Sequence, residues 1–170
     1  MLAMVLTTLG SCGTVTGLIG VQMNPYVPVG EATEDATEEE NLAQARDLVA
    51  DAVLRSPYRK PLAGANVVVS LLLFWSGFSL IRRRKTATWW VSQAALANAF
   101  LVLAESGAQW HAITSHWEEI VGWNSEIGLA AGNTFLVTLG VTTVMRLAVY
   151  AWILWRVRRP DLQTALQEAD

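Results

Sequence analysis

The chain has 170 residues, 52% of them hydrophobic, and a formal net charge of −3. A slightly acidic chain with seven of its twelve Lys and Arg in two short groups, 82–85 and 156–159, is no nucleic-acid-binding domain. A single cysteine, Cys12, excludes an internal disulfide and a cysteine-built metal centre. The apolar residues gather in long runs and the acids crowd 31–51, which is the pattern of a polytopic membrane protein.

Residues 1–23 carry no charge. At ~1.5 Å per residue this run can cross a hydrocarbon core of roughly 30 Å. A cleaved signal peptide would carry basic residues ahead of the apolar stretch, and none is present. Leu9-Gly10-Ser11-Cys12 resembles the lipobox of bacterial lipoproteins, which would imply a lipidated Cys12, but the apolar run continues past it. We therefore read 1–23 as a first span. Gly10, Gly13, Gly17 and Gly20 share one face of it, and such small faces let helix backbones approach in lipid.

Residues 24–61 form an acidic loop, opening with Pro25 and Pro28. Thr37 and Glu40 have capping-box spacing. Leu42, Ala45, Leu48/Val49, Ala52 and Val53 then make a weak apolar stripe, so a short amphipathic helix is expected, ending near Ser56-Pro57. A second span is expected over 62–81, with Asn66 as its one amide. Arg82, Arg83, Arg84 and Lys85 lie in the turn at 82–86. A third span follows over 87–109, starting at Trp89-Trp90 and carrying Asn98 and Glu105 seven residues apart, hence on one face.

Residues 110–128 read as a continuation of that helix or an interfacial one, because Trp110, Ile113, Trp117 and Ile120 recur at helical spacing. The fourth span is expected over 129–155, with a file of Thr134, Thr138, Thr142, Arg146 and Tyr150 at every fourth position. Arg156, Arg158 and Arg159 open the tail, 156–170. Placing both basic groups in the cytoplasm puts both termini there and the two longer loops outside. The expected fold is therefore an all-α integral membrane protein, a four-helix antiparallel bundle with a short external amphipathic helix in the first loop. A bacterial inner membrane is the expected location.

Arg146 lies ten residues before Arg156, about 15 Å into the membrane. A central arginine costs at least ~2.5 kcal/mol to insert, so it should find partners. Asn98, Glu105 and Asn66 are the candidates, and together the four residues form the expected buried polar cluster. Arg82, Arg83, Arg84, Lys85, Arg156, Arg158 and Arg159 are placed to meet lipid headgroups. His111 and His116 are weak metal candidates, since positions five apart do not share a helix face. No phosphate loop, nucleophile elbow or HExxH motif occurs, and neither a cofactor nor catalysis is expected. The expected partners are membrane lipids and either another membrane protein or further copies of the chain. The expected role is a non-enzymatic accessory, scaffold or assembly subunit. The alternative is a small transporter or proton-conducting protein using the Arg/Glu/Asn cluster.

Overall fold

The computed structural model describes residues 2, 4, 6, 37–82, 86–123, 125–160 and 164. Among the described residues, five helices follow in order: α1 (Glu38–Leu54), α2 (Arg59–Ile81), α3 (Ala87–Ser115), α4 (Trp117–Trp123) and α5 (Ser125–Val157). The described residues form no strand. Among the described residues, three stretches, Arg59–Ile81, Ala87–Ser115 and Glu126–Val157, are long and apolar enough to cross a membrane. The glycine face at Gly10, Gly13, Gly17 and Gly20, together with Cys12, Arg83, Arg84 and Lys85, falls outside the described residues.

Local chemistry sets the helix ends. Thr37 has extended backbone angles, and its hydroxyl accepts from the Glu40 N–H at 3.4 Å. The Glu40 carboxylate accepts from the Thr37 N–H at 2.8 Å, which completes the capping box. Helix α2 begins at Arg59, three residues ahead of the expected 62, because Pro61 is tolerated in a first turn where no intrahelical N–H bond is needed. Helix α3 continues past Gln109 to Ser115 and is closed by His116, whose Nδ1 lies 2.9 Å from the Ala112 carbonyl oxygen. Helix α5 begins at Ser125, earlier than the expected 129, leaving only Asn124 between it and α4. A Cβ at Gly128 would collide with the Ile120 carbonyl, so glycine is what lets α4 fold back onto α5.

Helix α3 is the central element. It packs against α2 on one side and α5 on the other, while α2 and α5 scarcely touch. Its buried positions Ala87, Val91, Ala94, Asn98 and Leu101 recur at three- and four-residue steps, and Ala87 and Ala94 are small. The facing surface of α2 is Ser70, Leu73, Ser76 and Gly77, so the backbones can approach closely. The serines stay satisfied within their own helix: Ser76 donates to the Leu73 carbonyl at 2.7 Å and Ser79 to Trp75 at 2.9 Å.

Two apolar clusters flank the middle of this layer. One joins Leu73 of α2, Val91, Ala94, Ala95 and Val102 of α3, and Tyr150, Ile153 and Val157 of α5, with the fully buried Leu6 among them. The other joins Ala45, Val49 and Ala52 of α1 to Ile113, Ile120 and Ala131. The stripe on α1 thus lies against the far ends of α3 and α5, and Leu42 remains exposed. Outside these clusters, Val68, Leu71 and Trp75 of α2, Phe100 and Leu103 of α3, and Val137, Val141, Val144 and Met145 of α5 are exposed. In water that band would be a large unfavourable apolar surface, whereas lipid solvates it.

At one end, Arg82 lies over the Phe78 ring at 4.4 Å and Arg159 over the Trp155 ring at 3.9 Å. Trp89 and Trp90 meet edge to face at the same end. Aromatic and basic residues therefore gather where α2 stops, α3 starts and α5 stops, as anchors at a membrane interface do.

Candidate buried polar site

Three side-chain bonds cross the α3–α5 interface. Ser106 meets Thr143 at 2.7 Å, Arg146 meets Glu105 at 3.0 Å, and Tyr150 meets Asn98 at 3.2 Å. Positions descend along α3 as they rise along α5, so the two helices are antiparallel and the three pairs fix their register.

The Asn98 pair is the most buried. Asn98 is 5% exposed and Tyr150 is 8% exposed. The tyrosine hydroxyl donates to Asn98 Oδ1, while Asn98 Nδ2 donates to the Ala94 carbonyl at 2.9 Å and the Val69 carbonyl at 3.4 Å. One amide on α3 thereby holds the backbone of α2 and a side chain of α5. A second pair has a defined direction. Thr143 sends its single hydroxyl proton to the Leu139 carbonyl at 2.7 Å, so Ser106 must be the donor to Thr143.

The Glu105–Arg146 pair joins Nη1 to Oε2. It lies on the flank of the interface, not within it: the Arg146 side chain is 44% exposed and that of Glu105 19%. The expected interior position for Arg146 is corrected accordingly. Helix α5 turns Leu136, Leu139, Thr143, Leu147 and Tyr150 inward at three- and four-residue steps, which leaves position 146 beside that seam. The long side chain then extends along the helix to reach Glu105. The same seam corrects the expected polar face of α5, since Thr134, Thr138 and Thr142 are exposed and Thr143 makes the contact.

Asn66 accepts from the Ser70 hydroxyl at 3.2 Å within α2. It joins Glu105 by lining a common cavity of about 220 Å³, together with Ser56, Arg59 and Gln109. The cavity lies between the end of α1, the first part of α2 and the later part of α3. Above it, Arg55 pairs with Asp51 and approaches Glu119 at 3.9 Å, tying α1 to α4.

The two histidines have separate surroundings. His116 caps α3, whereas His111 borders an apolar groove with Tyr58 and Pro61. Among the described residues no group of three or more His, Cys, Asp or Glu side chains is arranged to hold a metal. Outside the spans, the carboxyl of Glu40 is held below its ordinary range by the Thr37 backbone N–H first and the Thr37 hydroxyl second.

Sequence reasoning missed the Ser106–Thr143 bond and the serine face of α2, and it did not single out Tyr150 as the Asn98 partner. The available signal was Tyr150 itself, four residues beyond Arg146 and at a depth close to Asn98. Comparison with family models, with curated proteins and with solved structures finds no match to this chain.

Proposed function

We propose that this chain is a small integral membrane protein acting as a non-enzymatic accessory or assembly subunit of a larger membrane complex. The observation that supports this reading is that Asn98 with Tyr150, Ser106 with Thr143 and, on the flank, Glu105 with Arg146 form three bonded pairs between α3 and α5. Beyond Asn98 the half nearest the basic end is closed by Leu73, Val91, Ala94, Ile153 and Val157. Polar groups bonded in this way fix helix register, as a scaffold requires. Co-purification of the full chain from native membranes in mild detergent, with mass spectrometry of what accompanies it, tests the reading. A stoichiometric membrane-protein companion is expected, and recovery of the chain alone would count against it.

The fuller topology belongs to the same proposal. Residues 1–23 supply a fourth span, completing an antiparallel bundle with both termini in the cytoplasm of a bacterial inner membrane and α1 outside. Its support is the uncharged 1–23 run, the burial of Leu6 among α2, α3 and α5, and the gathering of Arg82 and Arg159 at one end.

One observation favours a second reading, a small transporter or proton-conducting protein. The cavity lined by Arg59, Asn66 and Gln109 reaches Glu105, so one side of the ion pair has polar access. A pH-gradient assay in proteoliposomes separates the two readings. Conduction that disappears in Glu105→Gln favours the transporter, while a tight bilayer favours the accessory subunit.

A further inference from the structure

We infer that the cavity beneath the end of α1 is a headgroup site for a zwitterionic phospholipid carrying a primary ammonium, with the lipid phosphate at Arg59 and the ammonium at Glu105. The inference requires only that the chain spans a membrane, and it holds whether or not the chain is an accessory subunit.

Glu105 lies sixteen residues beyond Trp89, about 24 Å along α3 from the basic end, so it sits just inside the opposite hydrocarbon boundary. Arg59 opens α2 at that same boundary, and Asn66 is about 10 Å further in along the helix. The cavity therefore occupies the level where headgroups meet acyl chains.

The cavity is lined by a cation, Arg59, and a carboxylate, Glu105, together with the polar side chains of Ser56, Asn66 and Gln109. Glu105 meets Arg146 through Oε2, which leaves Oε1 for the cavity. Asn66 accepts from Ser70 through Oδ1, which leaves its two amide protons for an oxyanion. A phosphate beside Arg59 and an ammonium beside Glu105 make an alternating row of charges that ends on Arg146. An ammonium with N–H donors satisfies Glu105 and the Gln109 carbonyl oxygen, whereas a trimethylated one offers them no donor.

A larger groove, about 590 Å³, adjoins the polar cavity at Leu62 and Ala108 and is lined by Pro61, Ala65, Ala104 and Gly107, with Tyr58 and His111 at its sides. A mostly apolar groove beside a charged cavity suits a lipid, which brings an acyl chain with its headgroup. A soluble zwitterion would leave that groove unused.

The test uses the full chain, delipidated in detergent. Binding is read by native mass spectrometry against phosphatidylethanolamine, phosphatidylcholine and phosphatidylglycerol with identical acyl chains, and against free phosphoethanolamine. Phosphatidylethanolamine should bind about tenfold more tightly than phosphatidylcholine, the value of one or two charge-assisted hydrogen bonds. Arg59→Gln should weaken all three lipids, and Glu105→Gln should remove the preference for ethanolamine. Because Glu105→Gln also removes the partner of Arg146, Asn66→Ala serves as the second variant, and it should weaken binding while leaving that ion pair intact. Equal binding of the ethanolamine and choline lipids, or unchanged binding in Arg59→Gln and Asn66→Ala, would overturn the assignment. Free phosphoethanolamine binding as tightly as the lipid would overturn the lipid source and make the site one for a soluble zwitterion.

Discussion

Tyr150 donates its phenolic hydrogen to Asn98 at 3.2 Å, and the same Asn98 donates to the Val69 carbonyl of α2 at 3.4 Å. Helices α2 and α5, which scarcely touch, are thus linked through one amide on α3. A buried amide in lipid has few other partners, so this residue should govern how the three helices assemble.

Replacing Tyr150 with Phe should leave Asn98 Oδ1 without its donor and destabilise the fold by about 1 kcal/mol. Asn98→Ala should cost more, because it removes bonds to both neighbouring helices. Equilibrium unfolding in mixed micelles gives both values. Equal losses in the two variants would mean that the α2 contact adds nothing.

The glycines of α5 provide a graded series. A Cβ at Gly128 would meet the Ile120 backbone, one at Gly132 would approach the Trp117 ring at 2.7 Å, and one at Gly140 would meet nothing within 4 Å. Gly128→Ala should therefore be the most damaging, since a backbone cannot step aside as a ring can. Gly140→Ala should stabilise by about 0.5–1 kcal/mol through helix propensity alone. Thermal denaturation of the three variants checks the order.

Helix α1 should loosen in acid. The folded-state pKa of Glu40 is depressed by its bonds to Thr37, so the capping box is fully formed above the ordinary carboxylate value and is lost as pH falls through the lowered one. Hydrogen exchange of the first turn of α1 should rise over that window. Thr37→Ala should raise exchange already at neutral pH and flatten the dependence.

Topology follows from the basic clusters. Single cysteines introduced at Glu38 and Ser115, in a background with Cys12 replaced by Ser, should react with a membrane-impermeant reagent from outside. Those at Thr86 and Gln167 should react only from inside. Labelling of position 38 from the cytoplasm alone would reverse the orientation.

The three apolar helices and the Thr37–Glu40 capping box were legible because each is a local pattern. Glu105 and Arg146 were legible as partners because a charge in a span restricts its own environment. The seam of α5 was not. A file taken every four residues, Thr134, Thr138, Thr142, Arg146, turns about 40° per step, so it winds away from the interface. The actual seam alternates steps of three and four, which brings Thr143 to Ser106 and leaves Thr142 exposed. The serine face of α2 was hidden for another reason. Ser76 and Ser79 bond to their own helix carbonyls, and such serines are as compatible with lipid as with a packed face.

The central claim is that the polar side chains of α3 and α5 hold the helices in register, and the double-mutant cycle of Arg146→Met and Glu105→Gln tests it most directly. Each single change leaves a polar group without its partner 3.0 Å away, and the double change removes both. The account predicts that unfolding of the double variant recovers much of the loss, with a coupling of about 1 kcal/mol, modest because the pair lies on a flank. Strictly additive losses would contradict it.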